Sequence, residues 1–341
     1  MFEKINSHNE WDKLKEIIVG SADGSRASIT WAKPGKIPEK VLEEAIKLSI
    51  EGTPKWLYEE VCEDLNELSN VLKSQNITVH RPKTFDFSQM FSSPYWSTTS
   101  NNVYNARDLN LVVGNYVIES PSHLINRYYE TTCLYDIWYE YFDKGFTWIA
   151  GPKPRLNYES SVPYYRDEKE RVMTPEDLKH IELTDGRVEK LHKLSENEIL
   201  FEAANTVRMG KDLLYLISSS GNKLGAKWLQ SVVGNEYRVH STTDIYRSSH
   251  IDSTVLCLRP GLVLLNSIRV NEDNCPKIFE KWDKIFFKNF SESQSASSGI
   301  SSNAIGMNLL SINEDLVIVD EHQTELMKTL LRYGIESIPM P

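Results

Sequence analysis

Repetition limits the fold of this chain more than any other feature. Along 341 residues one pattern returns: two short strands joined by a turn, an amphipathic helix, then another strand. A unit that cannot bury its own apolar faces must bury them against its neighbours, so the repeats specify a shared core. The first unit is irregular. It has the strand LKEIIVG (14–20), a helix over 55–76 in which Trp56, Leu57, Val61, Leu65, Leu68, Val71 and Leu72 keep helical spacing, and the strand ITVHRP (77–82). The second runs from the hairpin LNLVVGNYVIES (109–120), turning at Gly114-Asn115, through an aromatic helix over 127–142 to the strand FTWIAGPK (146–153). In the third, the hairpin 198–218 turns at Gly210-Lys211-Asp212 and leads to a helix over 222–234 and a strand over 236–242. The fourth joins TVLCLRPGLVLLN, turning at Pro260-Gly261, to a helix expected over 275–287. The fifth combines NLLSINEDLVIVD (308–320), a helix over 323–334 and a strand over 335–341. Tight hairpins differ from the long crossovers of a doubly wound parallel sheet, which is the alternative fold. The expectation is an α/β protein of five units in a closed, pseudo-symmetric arrangement, its functional loops converging at the centre.

Two segments break the pattern. Residues 154–198 are charged, contain Pro154, Pro163 and Pro175 and have few apolar runs, so they read as a surface insertion rather than a domain of their own. The serine-rich stretch SESQSASSGISSN (291–303) reads either as a plain surface loop or as a lid.

An apolar fraction of 40% and a charged fraction of 25% describe a globular chain able to build a core. The net charge of −10 excludes nucleic acid as an expected partner, because no basic stripe is present to replace its counterions. The N-terminal MFEKINSHNEWDKLKE is charged where a signal peptide is apolar, and no window is long and apolar enough to span a bilayer. No membrane partner is expected, and the expected location is cytoplasmic. Cys62, Cys133, Cys257 and Cys275 form no CxxC pair and read as reduced thiols rather than zinc ligands or disulfides.

Polar groups recur where the hairpins begin: Arg107-Asp108 before LNLVV, Glu202 within LFEAANTVR, and His250-Ile251-Asp252-Ser253-Thr254 before TVLCL. In an extended segment His250 and Asp252 would share one face while Ile251 points into the core. Gathered at the centre of a repeat fold, three carboxylates and an imidazole would match a planar guanidinium and supply an acid/base group. Arginine or a relative is the substrate class this suggests. Taken singly, each carboxylate is equally explained as a solvated group at a strand end.

The runs RDLNLVVGNYVIESP, FEAANTVRMGKD, HIDSTVLCLRPGLVLLN and SSNAIGMNLLSINEDLVIVD resemble the glycine/inosamine-phosphate amidinotransferase family, part of the guanidino-group-modifying superfamily that includes arginine deiminases. The similarity extends from Glu10-Trp11 to the last residues. It implies a pentein fold, a five-bladed pseudo-symmetric α/β propeller, as a single domain over 1–341. It implies transfer of the amidino group of L-arginine to an amine acceptor through a covalent amidino-cysteine, with ornithine released and no metal or organic cofactor. Carried over by position, His250 is the acid/base, Glu202 orients it, Asp108 and Asp252 grip the guanidinium, and Arg269 and Ser302 bind the donor's carboxylate. Arg247 and Ser249, just before the histidine, fall on the acceptor side. Dimers occur in the family, and the aromatic segment 127–142 is a candidate interface, with ordinary core packing as the alternative.

The family nucleophile lies in a Gly-rich segment ending in cysteine, shortly after the strand that matches IESIPMP, and the chain ends at Pro341. None of its four cysteines matches that position. Cys257, seven residues after His250, would face the opposite side of a strand. A chain lacking a C-terminal segment is therefore expected. An arginine deiminase-like hydrolase and a non-catalytic guanidino-compound binder are the alternatives.

Overall fold

A computed structural model describes residues 6–26, 55–157, 159–167, 188–291 and 304–341. Four three-stranded sheets share one plan. In the second unit Asn110–Val113 pairs antiparallel with Tyr116–Glu119, which pairs parallel with Thr147–Ala150. The same order recurs in Thr206–Met209, Asp212–Leu216 and Arg238–Thr242, and in Val255–Arg259, Leu262–Asn266 and Asp283–Phe287. It recurs again in Leu310–Asn313, Leu316–Asp320 and Glu336–Met340. A parallel partner must return along the sheet before pairing, so a connection longer than a turn precedes it in every unit. Among the described residues, unit one has the parallel pair Glu16–Ile18 and Thr78–His80, with the helix Lys55–Ser74 before its second strand.

Three of these hairpin turns depend on glycine. Gly114, Gly210 and Gly261 have φ of 55°, 69° and 77°, a left-handed backbone that side chains resist. Space is short at Gly114 too, where an added Cβ would stand 2.1 Å from the Tyr237 hydroxyl.

Residues 275–287, expected to be a helix, instead form a 3-10 turn, Lys277–Phe279, and the strand Asp283–Phe287. Ile285 and Phe287 are buried while Phe286 is exposed. This alternation suits a strand, and the pairing satisfies the free edge of Leu262–Asn266. Within 127–142 the α-helix is confined to Tyr135–Asp143, after a 3-10 segment Glu130–Leu134. Its Ile137, Trp138 and Tyr141 are buried, and Tyr139 and Phe142 are exposed. The insertion carries an antiparallel ribbon, Ser161–Asp167 with Val188–Leu194. Residues 168–187 and 292–303 lie outside the described residues.

Apolar clusters join each unit to the next. Leu111, Val113 and Ile118 of unit two pack with Phe201, Leu213 and Tyr215 of unit three. Val207 and Leu214 of unit three pack with Val255 and Val263 of unit four. Leu258 and Leu264 of unit four meet Val317 and Val319 of unit five. Ile312, Ile318 and Met340 of unit five meet Val19, Leu65 and Leu72 of unit one. Ile18 of unit one then packs on Val117, Leu134 and Trp138 of unit two. Burial of each such side chain is worth about 1.5–3 kcal/mol, so the interfaces between units are main sources of stability. Among the described residues no helix is long and apolar enough to cross a membrane.

Candidate active site

Entrances of three hairpins meet at one place. Asp108 lies on the one-turn helix Ala106–Leu109 that runs into the first strand of unit two. Glu202 precedes the 3-10 turn Ala203–Asn205 of unit three, and its amide donates to the Ser220 carbonyl at 2.9 Å. The Ile251 amide donates to the Ala204 carbonyl at 3.2 Å, tying the histidine's neighbour to the Glu202 segment. As a result His250 Nε2 lies 2.6 Å from Glu202 Oε2, and its Nδ1 lies 3.7 Å from Asp108 Oδ1.

The segment His250–Thr254 is not extended. The amides of Thr254 and Val255 both donate to the Ile251 carbonyl, at 2.8 and 2.9 Å, forming a turn before the strand begins at Val255. Alternation therefore does not set its side chains, although Ile251 is buried as expected. Asp252 acts electrostatically on His250, but its carboxylate accepts from Arg107 Nη1 at 3.1 Å in a partly exposed pair.

A buried guanidinium organises the cluster from behind. Arg127, at the end of the 3-10 turn Ile125–Arg127, is 7% exposed. Its Nη1 donates to Asp108 Oδ2 at 2.8 Å and stands 3.6 Å from Glu202 Oε1. Its Nε and Nη2 form a fork on Glu130, each at 2.6 Å. Ser122 Oγ donates to Glu202 Oε1 at 2.7 Å, and His123 Nδ1 lies 3.7 Å from the same oxygen. None of Ser122, His123, Arg127 and Glu130 follows from the hairpin-entrance pattern, because they sit after a hairpin. Arg127 and Glu130, three apart in an otherwise aromatic run, were the available signal, since charges in such a run must be paired to be buried.

Electrostatics separate the roles of these groups. Burial would lower the basicity of His250, but Asp108, Glu202 and Asp252 raise it from 6.5 to about 9. Burial would raise the Glu202 carboxyl, yet Arg127, the His250 hydrogen bond and His123 hold it well below the usual carboxylate range. Burial opposes the Arg127 charge, and Glu130, Glu202 and Asp108 more than restore it. The resting site is thus an ionised carboxylate against a protonated imidazole, ready to give a proton to a leaving group. Asp108, Glu202 and His250 offer one ligand atom each within 4.8 Å of one another, a spacing that would also suit a metal ion. Arg127 already supplies positive charge to both carboxylates, so the cluster is balanced by a guanidinium.

The remaining expected residues are less central. Arg269 stacks with its guanidinium carbon 3.6 Å from the ring centre of Tyr246 and has Nη1 within reach of Ser253 Oγ and Thr254 Oγ1, both at 2.8 Å. It thereby braces the turn after His250. Arg247 is exposed, and Ser249 is half-buried with its carbonyl accepting from Ser218 Oγ at 2.7 Å. Ser302 lies outside the described residues. All four cysteines are free. Cys257 is packed in the core between units three and four, and burial pushes its thiol far up. Burial also raises the Cys133 thiol, to about 11. Neither has the lowered pKa that makes a thiolate nucleophile.

Mixed hairpin-and-parallel sheets carrying a buried carboxylate–imidazole centre define an α/β enzyme. No family model matches the sequence. Inosamine-phosphate amidinotransferase 1 of Streptomyces glaucescens is 38% identical over 343 residues, covering 98% of this chain and 90% of that protein. The L-arginine:L-lysine amidinotransferase of Pseudomonas savastanoi pv. phaseolicola is 31% identical over 98% of this chain and 88% of its own length. The solved structure of the Streptomyces griseus inosamine-phosphate amidinotransferase superposes with a TM-score of 0.79 at 35% identity, covering 98% of this chain and 90% of that one. The chain belongs to the amidinotransferase family, enzymes that transfer amidino groups.

Proposed function

We propose that this enzyme moves the amidino group of L-arginine to an amine acceptor and releases ornithine. The observation that carries the reading is the cluster of Asp108, Glu202 and His250, in which a protonated imidazole is oriented by one carboxylate and faces another. In this reading the free oxygen of Asp108 and the carboxylate of Asp252 take the donor guanidinium, for which Arg107 gives way on Asp252. Arg269 and Ser302 bind the donor's carboxylate. His250 protonates the leaving amine, and Glu202 keeps the ring in place. The half-buried Ser249 leaves room for an acceptor larger than glycine, and Arg247 meets an acidic group on it. The amidino group waits as a covalent adduct on a cysteine thiolate, a role for which Cys133 and Cys257 are unsuited because they are buried with raised thiols. The closed chain of apolar contacts through all five units supports a five-bladed propeller with the cluster at its centre.

The test is product analysis of the full-length protein supplied with L-arginine and glycine, L-lysine or an aminocyclitol phosphate. Ornithine should appear only when an acceptor is present. Citrulline would indicate a hydrolase instead, and arginine binding in calorimetry without any product would indicate a binder. His250→Ala should cut turnover by about 10²–10⁴-fold while arginine binding persists, the range expected for loss of a general acid/base.

A further inference from the structure

Amidino transfer between two amines has a fixed proton count. The leaving nitrogen departs from a guanidinium with one hydrogen and ends as an ammonium with three, so it gains two protons. The acceptor nitrogen begins as an ammonium and ends as N–H, so it loses two. An imidazole carries one exchangeable proton at a time between its neutral and charged forms. With a thiolate as nucleophile, which brings no proton of its own, His250 alone covers half of the count in each half-reaction.

His123 is a second imidazole beside the same carboxylate. Its Nδ1 lies 3.7 Å from Glu202 Oε1, the oxygen opposite the one bonded to His250, so Glu202 sits between two imidazoles. That nitrogen is closed off from solvent and has no hydrogen-bond partner among the described residues, a condition rare among buried polar atoms. The side chain as a whole is 19% exposed, so atoms of it other than Nδ1 reach solvent. Among the described residues, Glu202, His250 and Arg127 are the charged and titratable groups that act on it. Burial lowers its basicity, Glu202 acts in the opposite sense, and the charges of His250 and Arg127 lower it again. At rest His123 is neutral beside a charged His250. It can accept a proton when its neighbour cannot.

We infer that His123 is the second proton carrier of this site, taking one of the two protons shed by the acceptor ammonium and passing it to water while His250 takes the other. The inference rests on the amidino-transfer reading above. In the donor half, the nucleophile's electron pair forms a bond to the amidino carbon as the bond from that carbon to the leaving nitrogen breaks with its pair on nitrogen, which receives one proton from His250 and one from water through His123. In the acceptor half, two N–H bonds of the ammonium break, a freed pair on nitrogen forms the new bond to the amidino carbon, and the bond from that carbon to the nucleophile breaks with its electron pair returning to the nucleophile. One proton restores His250 and the other leaves through His123, so the cycle closes without net gain or loss.

Hydroxylamine provides the test, because it is unprotonated at neutral pH and sheds only one proton on becoming an acceptor. Wild type, His123→Asn and, as a second variant, His123→Gln would be assayed with L-arginine and either hydroxylamine or the fastest ammonium acceptor among glycine, L-lysine and an aminocyclitol phosphate. Asparagine keeps a polar atom near the Nδ1 position but carries no titrating proton. The expected loss with the ammonium acceptor is on the order of 10²-fold. With hydroxylamine the loss should be at least tenfold smaller. Raising the pH, which deprotonates the acceptor in solution, should bring the variants back toward wild type. Equal losses with both acceptors, or no loss with either, would overturn the inference. A wild type that transfers no amidino group to any of these amines would instead refute the reading on which it rests.

Discussion

Replacing Arg127 by methionine removes the positive charge on which the site's carboxylates depend. The side chain is 7% exposed and contacts three of them, Asp108 at 2.8 Å, Glu130 at 2.6 Å and Glu202 at 3.6 Å. Breaking a buried ion pair by deleting one partner costs about 3–5 kcal/mol, because the other charge stays buried without compensation. Against a total stability of about 5–15 kcal/mol this is a large fraction, and at about 2 °C per kcal/mol it lowers the melting temperature by about 6–10 °C. The pH dependence identifies the cause. In the wild type the lowered Glu202 carboxyl contributes stability above its ordinary value of 4.5, and that contribution fades as the pH falls. In Arg127→Met the stranded carboxyls shift upward, which costs stability above 4.5 and costs nothing once they are protonated. The gap between the two proteins in thermal unfolding should therefore be widest near pH 7.5 and shrink toward pH 5. A loss below about 1 kcal/mol at pH 7.5, or a gap that does not change with pH, would refute the assignment of Arg127 as the charge that holds this cluster together.

The His250–Glu202 contact predicts a dependence at the other end of the pH range. A rise from 6.5 to about 9 corresponds to about 3 kcal/mol, present in full below pH 6.5 and lost as the pH climbs through 9. The melting difference between wild type and His250→Asn should collapse over that interval, and a constant difference would show that the ring acts by packing alone. At Gly20 the constraint is space: an added Cβ would lie 1.8 Å from the Tyr104 carbonyl oxygen. Gly20→Ala should cost about 1–3 kcal/mol in denaturant unfolding, as overpacking against backbone does, and a change within 0.5 kcal/mol would mean that the strand shifts freely.

The recurring hairpins were legible because two local signals coincide in them. Glycine occupies the turns at Gly114, Gly210 and Gly261, and short apolar runs flank each one. Segment 275–287 misled because Ile278, Phe279, Trp282, Ile285 and Phe286 fit helical spacing as well as they fit a strand. Only the unpaired edge of Leu262–Asn266 decides between them. The turn at His250–Thr254 misled for a related reason, since a hydrogen bond to the Ile251 carbonyl leaves no trace in the residue types.

By itself the sequence determined which groups approach each other: Asp108, Glu202 and His250 stand at equivalent points of a repeat, and equivalent points of packed repeats are brought together. It also determined the chemistry open to them, because residue type sets charge and proton affinity in water. The tertiary structure decided how those charges are balanced. Burial removes water from the cluster, so each carboxylate must find a cation within a few ångströms, and the chain supplies Arg127 from a segment outside the repeat pattern. The same packing sets Glu202 between His250 and His123, which lie 48 and 79 residues from it along the chain, and this proximity arises from the fold.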